Sequence, residues 1–170
     1  MSDAESVPLW PFVRALYDKP GVSEACLSLQ ARHGADVDLL IYAAWVAASG
    51  RGLLETSDLA GLRAAAAPWS AEIVLALRSV RRRLKLSLGA ITAEDAAGLS
   101  RHVLAVEIEA ERIQLEAWAA AAPPARARSA TVRRGDVAAN LAACLSLFVS
   151  GEVSKDDRDA LAAIAAASVA

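Results

Sequence analysis

The sequence is poor in the side chains that usually carry chemistry. It has two cysteines, two histidines and one methionine, and aromatics make up only 5% of its 170 residues. Cys26 and Cys144 each stand among leucines and alanines. They read as small buried hydrophobes, and no disulfide framework is indicated. A ferritin-like metal centre needs glutamates together with Glu-x-x-His pairs. Neither His33 nor His102 stands three residues after a glutamate, so no metal site and no cofactor are expected. The glycine patterns of nucleotide cradles and of the nucleophile elbow are missing as well.

Long apolar runs are also missing. The longest, Leu39 to Ala48, is far short of the roughly 20 residues that span a bilayer. The first residues, Met1-Ser2-Asp3-Ala4-Glu5-Ser6, are acidic and polar, the reverse of a signal peptide's start. No lipidation pattern appears at either end. These features point to a cytoplasmic protein with no membrane role. The formal net charge of −2 argues against general affinity for nucleic acid. His33-Gly34-x-Asp36 has the spacing of a helix-turn-helix. Its second helix, however, would offer Leu39, Ile41, Tyr42 and Trp45 where base recognition needs polar and basic groups. A tight helical hairpin explains that segment better.

What remains is helical. The hydrophobic fraction is 55%, much of it alanine, and β-branched runs are nearly absent. The sequence predicts an all-α, compact bundle of about eight helices with a C-terminal helical hairpin. Ser6 is the expected cap of the first helix. Gly34 is expected to end the second, and Asp36 to cap the third, Val37 to Ser49, which is apolar all round and therefore innermost. A fourth helix should open at Thr56-Ser57-Asp58 and stop before Pro68. A fifth should run from Pro68 to about Ser87. A sixth should start at the Thr92/Asp95 capping box and reach Ala121. By this reading residues 1–121 form a helical core and residues 122–135 a flexible basic linker. Residues 136–170 form the hairpin, packed on or near the core, its second helix capped by Ser154 and Asp157.

Charge patterning supplies one candidate polar site. Arg78, Arg81, Arg82 and Lys85 share one side of the fifth helix. On the sixth, Glu107, Glu111 and Gln114 lie in a narrow sector between two apolar stripes. Leu99, Val103, Val106, Ala110, Ile113 and Ala117 make one stripe, and Leu104, Ile108 and Leu115 the other. A helix with two apolar stripes is clasped from two sides. Carboxylates between them need a cation, a donor or a raised pKa.

The first two thirds of the chain resembles a family of small bacterial proteins of unknown function. The resemblance rests on Leu9-Trp10-x-Phe12, Leu16-Tyr17, Pro20-Gly21-Val22, Ala25-Cys26-Leu27-x-Leu29-Gln30 and Gly34-Ala35-Asp36-Val37-x-Leu39-Leu40. Trp69, Arg78-x-x-Arg81-x-x-Leu84-Lys85 and Glu107-x-x-x-Glu111 extend it to about Trp118. It implies no reaction, cofactor or partner. Two functions fit the residues. One is a non-catalytic cytosolic accessory protein that binds another protein or itself. The other is a small-molecule-binding protein or enzyme, taking a small anionic or polar ligand between the fifth and sixth helices.

Overall fold

The structure, a computed structural model, describes residues 7–169. The described residues contain eight α-helices and no strand. They are α1 (Leu9–Tyr17), α2 (Val22–His33), α3 (Val37–Ala48), α4 (Thr56–Trp69), α5 (Leu75–Arg83), α6 (Ala97–Ala120), α7 (Ala130–Ser146) and α8 (Lys155–Ser168). One isolated bridge, Leu88 to Ile91, closes the bend between α5 and α6. The expected cap Ser6 lies outside the described residues.

Helix α3 is the axis of the fold. Asp36 caps it by accepting from the Leu39 N–H at 3.2 Å. Gly34, at φ 67°, ends α2 in the left-handed conformation that glycine adopts without strain. Every residue from Leu39 to Ala48 is buried, and α1, α2, α4, α6, α7 and α8 all pack on this helix. The side chains a recognition helix would present are therefore in the core. Trp45 is 2% exposed and donates its indole N–H to the Val7 carbonyl at 2.8 Å. Tyr42 donates its hydroxyl to the Trp118 carbonyl at 3.2 Å, tying α3 to α6. Cys26 and Cys144 are free and buried, and burial pushes the Cys26 thiol up to about 12.

Four helix boundaries differ from the sequence reading, one of them the end of α5, which falls at Arg83 rather than near Ser87. Helix α4 does not stop before Pro68 but contains it, and α5 follows through a π turn, Ser70–Val74. Proline has no N–H for the i→i−4 ladder, and the widened turn begins two residues later. The Thr92 and Asp95 bonds do form, with Thr92 N–H to Asp95 at 3.0 Å and Asp95 N–H to Thr92 at 3.1 Å. They close a turn, and α6 itself starts at Ala97. Helix α7 begins at Ala130, capped by Ser129, rather than at Asp136.

The stretch before α7 is held to the end of α3. The Arg126 N–H donates to the Gly50 carbonyl at 3.0 Å, and Arg128 pairs with Asp136 at 2.9 Å. A Cβ on Gly50 would meet the Arg126 carbonyl oxygen at 2.4 Å, so only glycine permits this approach. Arg133 donates to the Ala48 carbonyl at 3.3 Å, placing a cation at the negative end of α3. Val137, Leu141, Cys144 and Leu145 of α7 and Ile164 of α8 share one buried cluster with α1 to α3. Asn140, fully buried, accepts from Leu54 N–H and donates to the Ala43 and Gly52 carbonyls, so the loop after α3 is fixed by one amide.

Candidate functional site

The π turn decides which way the basic face of α5 points. Trp69, the last residue of α4, donates its indole N–H to the Ala110 carbonyl at 3.0 Å and so faces α6. At about 100° per residue, Arg78 would lie roughly 180° round from Trp69 on an unbroken α-helix. One extra residue in the turn brings Arg78 to about 80° and Arg81 to about 20° of that direction. Both then reach the acidic sector of α6. Arg78 donates from Nε to Glu107 at 2.8 Å and from Nη2 to Glu111 at 2.5 Å. Arg81 donates to Glu107 from Nε at 2.5 Å and from Nη2 at 3.2 Å.

The two glutamates are not equivalent. The Glu107 side chain is 4% exposed and faces two guanidinium groups. Burial pushes its carboxyl up, but the hydrogen bonds and charges of Arg81 and Arg78 outweigh this and hold it below the usual range. Glu111 has Arg78 alone. Its carboxyl is raised, because burial outweighs that cation and the Glu107 charge adds to the push. Of the remaining sequence candidates, Gln114 is buried beside them, and Arg82 is exposed at the edge of the same cavity. Lys85 is exposed beyond the end of α5 and does not line the cavity.

That cavity is a cleft of about 1090 Å³ between α1, the start of α3, α4, the π turn, α5 and α6. Its lining includes Tyr17, Asp36, Asp38, Arg78, Glu111 and Gln114. The sequence reading missed Asp38. It sits in the first turn of a helix that is otherwise apolar, two residues after the Asp36 cap. That placement was the available signal, since an acidic residue there has no packing role. No hydrogen bond or ion pair reaches the Asp38 carboxyl among the described residues. Burial raises it well above the ordinary carboxyl range, and the Glu111 and Asp36 charges add to the effect. Tyr17 is pushed up to about 12, by burial first and then by Cys26, Asp38 and Glu111. Asp36 is raised by burial against the N–H groups it accepts from.

Gln114 shows the same imbalance in a neutral group. The residue is 5% exposed, and its Oε1 has no hydrogen-bond partner. Leaving such an acceptor unmet costs about 1–3 kcal/mol. The cleft therefore holds a buried acceptor for which the fold supplies no donor. The described residues contain no group of three or more His, Cys, Asp or Glu arranged to hold a metal ion. No helix among them is long and apolar enough to cross a membrane.

An all-α bundle with a polar cleft beside a π turn is the class of protein these features define. The chain belongs to the family described as protein of unknown function, DUF2390, which matches residues 8–118. The match takes in α1 to α5 and nearly all of α6, and with them every polar cleft residue named above. No curated protein and no solved structure matches the chain significantly.

Proposed function

We propose that the chain binds a small molecule in the cleft between α3, α5 and α6. The observation that carries this reading is the buried, unmet acceptor Gln114 Oε1, together with a half-buried Asp38 carboxyl that no cation of the chain pairs, on the lining of a cavity of about 1090 Å³. A fold gains nothing in stability from leaving both unpaired, whereas a binding site must keep its polar groups ready for a ligand. Arg78 and Glu107 serve this site as its frame. Their bonds fix α5 against α6 and hold Glu111 at the cleft.

The test is stability without ligand. Asp38→Asn removes a charge that burial penalises and Gln114→Leu removes an unmet acceptor, each at approximately constant volume. Both should raise the unfolding midpoint, by an amount corresponding to about 0.5–2 kcal/mol. A fall in midpoint for both variants would mean that the two side chains hold the fold together, and the binding reading would be abandoned.

A second reading, self-association, is favoured by exposed apolar side chains from the end of α4, the π turn, α5 and α6, none of which lines the cleft. Trp69, Ile73, Val80, Leu99, Val106 and Ile113 all remain more than a third exposed. Together they leave roughly 500 Å² of apolar surface, close to the apolar share of the ~800 Å² per partner in a standard interface. A second copy of the chain is the occupant proposed for it. Light scattering behind a sizing column tests this directly: a dimer that Val106→Glu converts to monomer supports it, and a monomer at high concentration refutes it.

A further inference from the structure

Resting on the reading of the cleft as a binding site, we propose that its ligand is an organic cation. A primary ammonium or guanidinium group would seat its N–H donors on Asp38, Glu111 and Gln114 Oε1. These three groups come from different elements, α3 and α6, and all line one cavity. Each is an acceptor with capacity to spare. Asp38 has no partner, Gln114 Oε1 has none, and only Oε1 of Glu111 is engaged, by Arg78. A ligand that satisfies them must bring donors, and several in one small group.

The cations of the site are either consumed or peripheral. Arg78 and Arg81 are committed to Glu107 and Glu111. Arg63 is exposed and lies over the Phe148 ring at 4.8 Å, and Arg14 and Arg82 are exposed as well. An anion entering the cleft would meet the Asp38 and Glu111 carboxyls, while the arginines not bonded to these glutamates are all exposed to water. A cation would meet carboxyls with lone pairs to spare. The elevated carboxyl of Asp38 fits this, since Arg78, bonded to Glu107 and Glu111, does not offset its burial, and a ligand's positive charge would draw it back to its ionised form. The apolar part of the lining, which includes Val13, Ile41 and Leu115, suits an aliphatic body attached to the charged head. Trp10 and Tyr17 add aromatic surface, which favours organic cations further. A bare metal ion would make no use of the apolar lining.

The test uses the full chain and isosteric probes. n-Butylammonium and n-butylguanidinium are titrated against butan-1-ol, butanoate and inorganic phosphate. The readouts are the side-chain amide resonances of Gln114 and the unfolding midpoint. Both cations should shift the Gln114 resonances saturably and raise the midpoint, and butan-1-ol and the anions should do neither. Asp38→Asn should weaken cation binding at least tenfold, the loss expected when a charge-assisted bond becomes neutral. Gln114→Leu should weaken it less and remain folded, which guards against a folding defect in the first variant. Binding of butanoate or phosphate with no response to the cations would overturn the cation class and leave the cleft as a site. No response to either cation, in a chain whose Asp38→Asn and Gln114→Leu variants are stabilised, would likewise overturn only the class. The same silence with both variants destabilised would overturn the site as well.

Discussion

Glu107→Gln is the substitution with the most informative consequence. The glutamine keeps the volume and one oxygen of the side chain it replaces. Its new NH2 group, however, faces guanidinium donors, and the charge that two arginines were neutralising is gone. Removing one partner of a well-buried ion pair costs about 3–5 kcal/mol. Here the glutamate is 4% exposed, but Arg78 and Arg81 keep 24% and 19% of their exposure, so water screens part of the stranded charge. The expected loss is therefore about 2–3 kcal/mol. In a chain of this length that lowers the thermal midpoint by roughly 5–10 °C. Glu111→Gln gives up a single Arg78 bond but relieves a carboxyl that burial already penalises, so it should change stability by less than about 0.5 kcal/mol. Urea unfolding of the two variants, with the slope unchanged from the parent, measures the difference directly. A loss below about 0.5 kcal/mol for Glu107→Gln, or equal losses for both, would refute the division of the two glutamates into frame and site.

Other outcomes follow from the same geometry. Trp45→Ala should cost about 3–5 kcal/mol, because it empties the centre of α3 and strands the Val7 carbonyl; a cost near 1 kcal/mol would place α3 at the periphery. Asp157 is held below its ordinary 3.8 by the Ser154 hydroxyl against burial, with His33 and the Ser154 N–H adding to the effect. Its folded pKa is depressed, so its contribution to stability is complete above the unfolded value. It should be lost as pH falls from about 5 toward 2, and the acid limb of an unfolding-midpoint profile should flatten in Asp157→Asn. Asp38 carries the opposite sign. Its folded pKa is raised, so stability should decline as pH climbs above the unfolded value, and Asp38→Asn should abolish that decline. Trypsin should cut first in the exposed bend around Arg83 and Lys85, and later at Arg126 to Arg134, whose backbone and side chains are tied to α3 and α7; cleavage in the reverse order would show that those ties are weak.

Much of the fold was legible because α3 left few alternatives. An unbroken apolar helix between an Asp cap and two glycines has to be the centre of something, and the amphipathic helices around it have only one place to bury their stripes. The capping residues Asp36 and Ser154 were readable for the same local reason: a side-chain oxygen meets an N–H three residues on, and no tertiary contact is needed to predict it. The boundaries that moved were those where distant residues decide. Ser129 and Ala130 begin α7 in a stretch whose arginines and prolines carry no periodicity. The contacts that order it, Arg126 to Gly50 and Arg133 to Ala48, span more than seventy residues.

The candidate site shows where reading by helical wheel fails and why. Glu107, Glu111 and Gln114 were found because α6 is regular from Ala97 onward, so angular position follows from residue number. The wheel of α5 put Arg78, Arg81, Arg82 and Lys85 on one face as though the helix began afresh at Pro68. In the fold that helix inherits its phase from α4 and then loses one residue of register in the π turn. Arg78 and Arg81 end against α6, Arg82 is left at the edge of the cleft, and Lys85 lies outside it. Nothing local in Ser70 to Val74 announces a widened turn; it is chosen where Pro68 breaks the ladder and Trp69 finds the Ala110 carbonyl. Asp38 failed to register for a different reason. A carboxylate in the first turn of a helix is ordinarily read as a favourable partner of the helix dipole and given no further thought. Only the packing of α1 and α6 around that turn half-buries it. Its raised carboxyl thus owes part of its shift to Glu111, seventy-three residues after it, and in turn raises Tyr17, twenty-one residues before it. On the binding reading proposed above, a ligand would offset the cost that tertiary packing adds to this locally favourable placement.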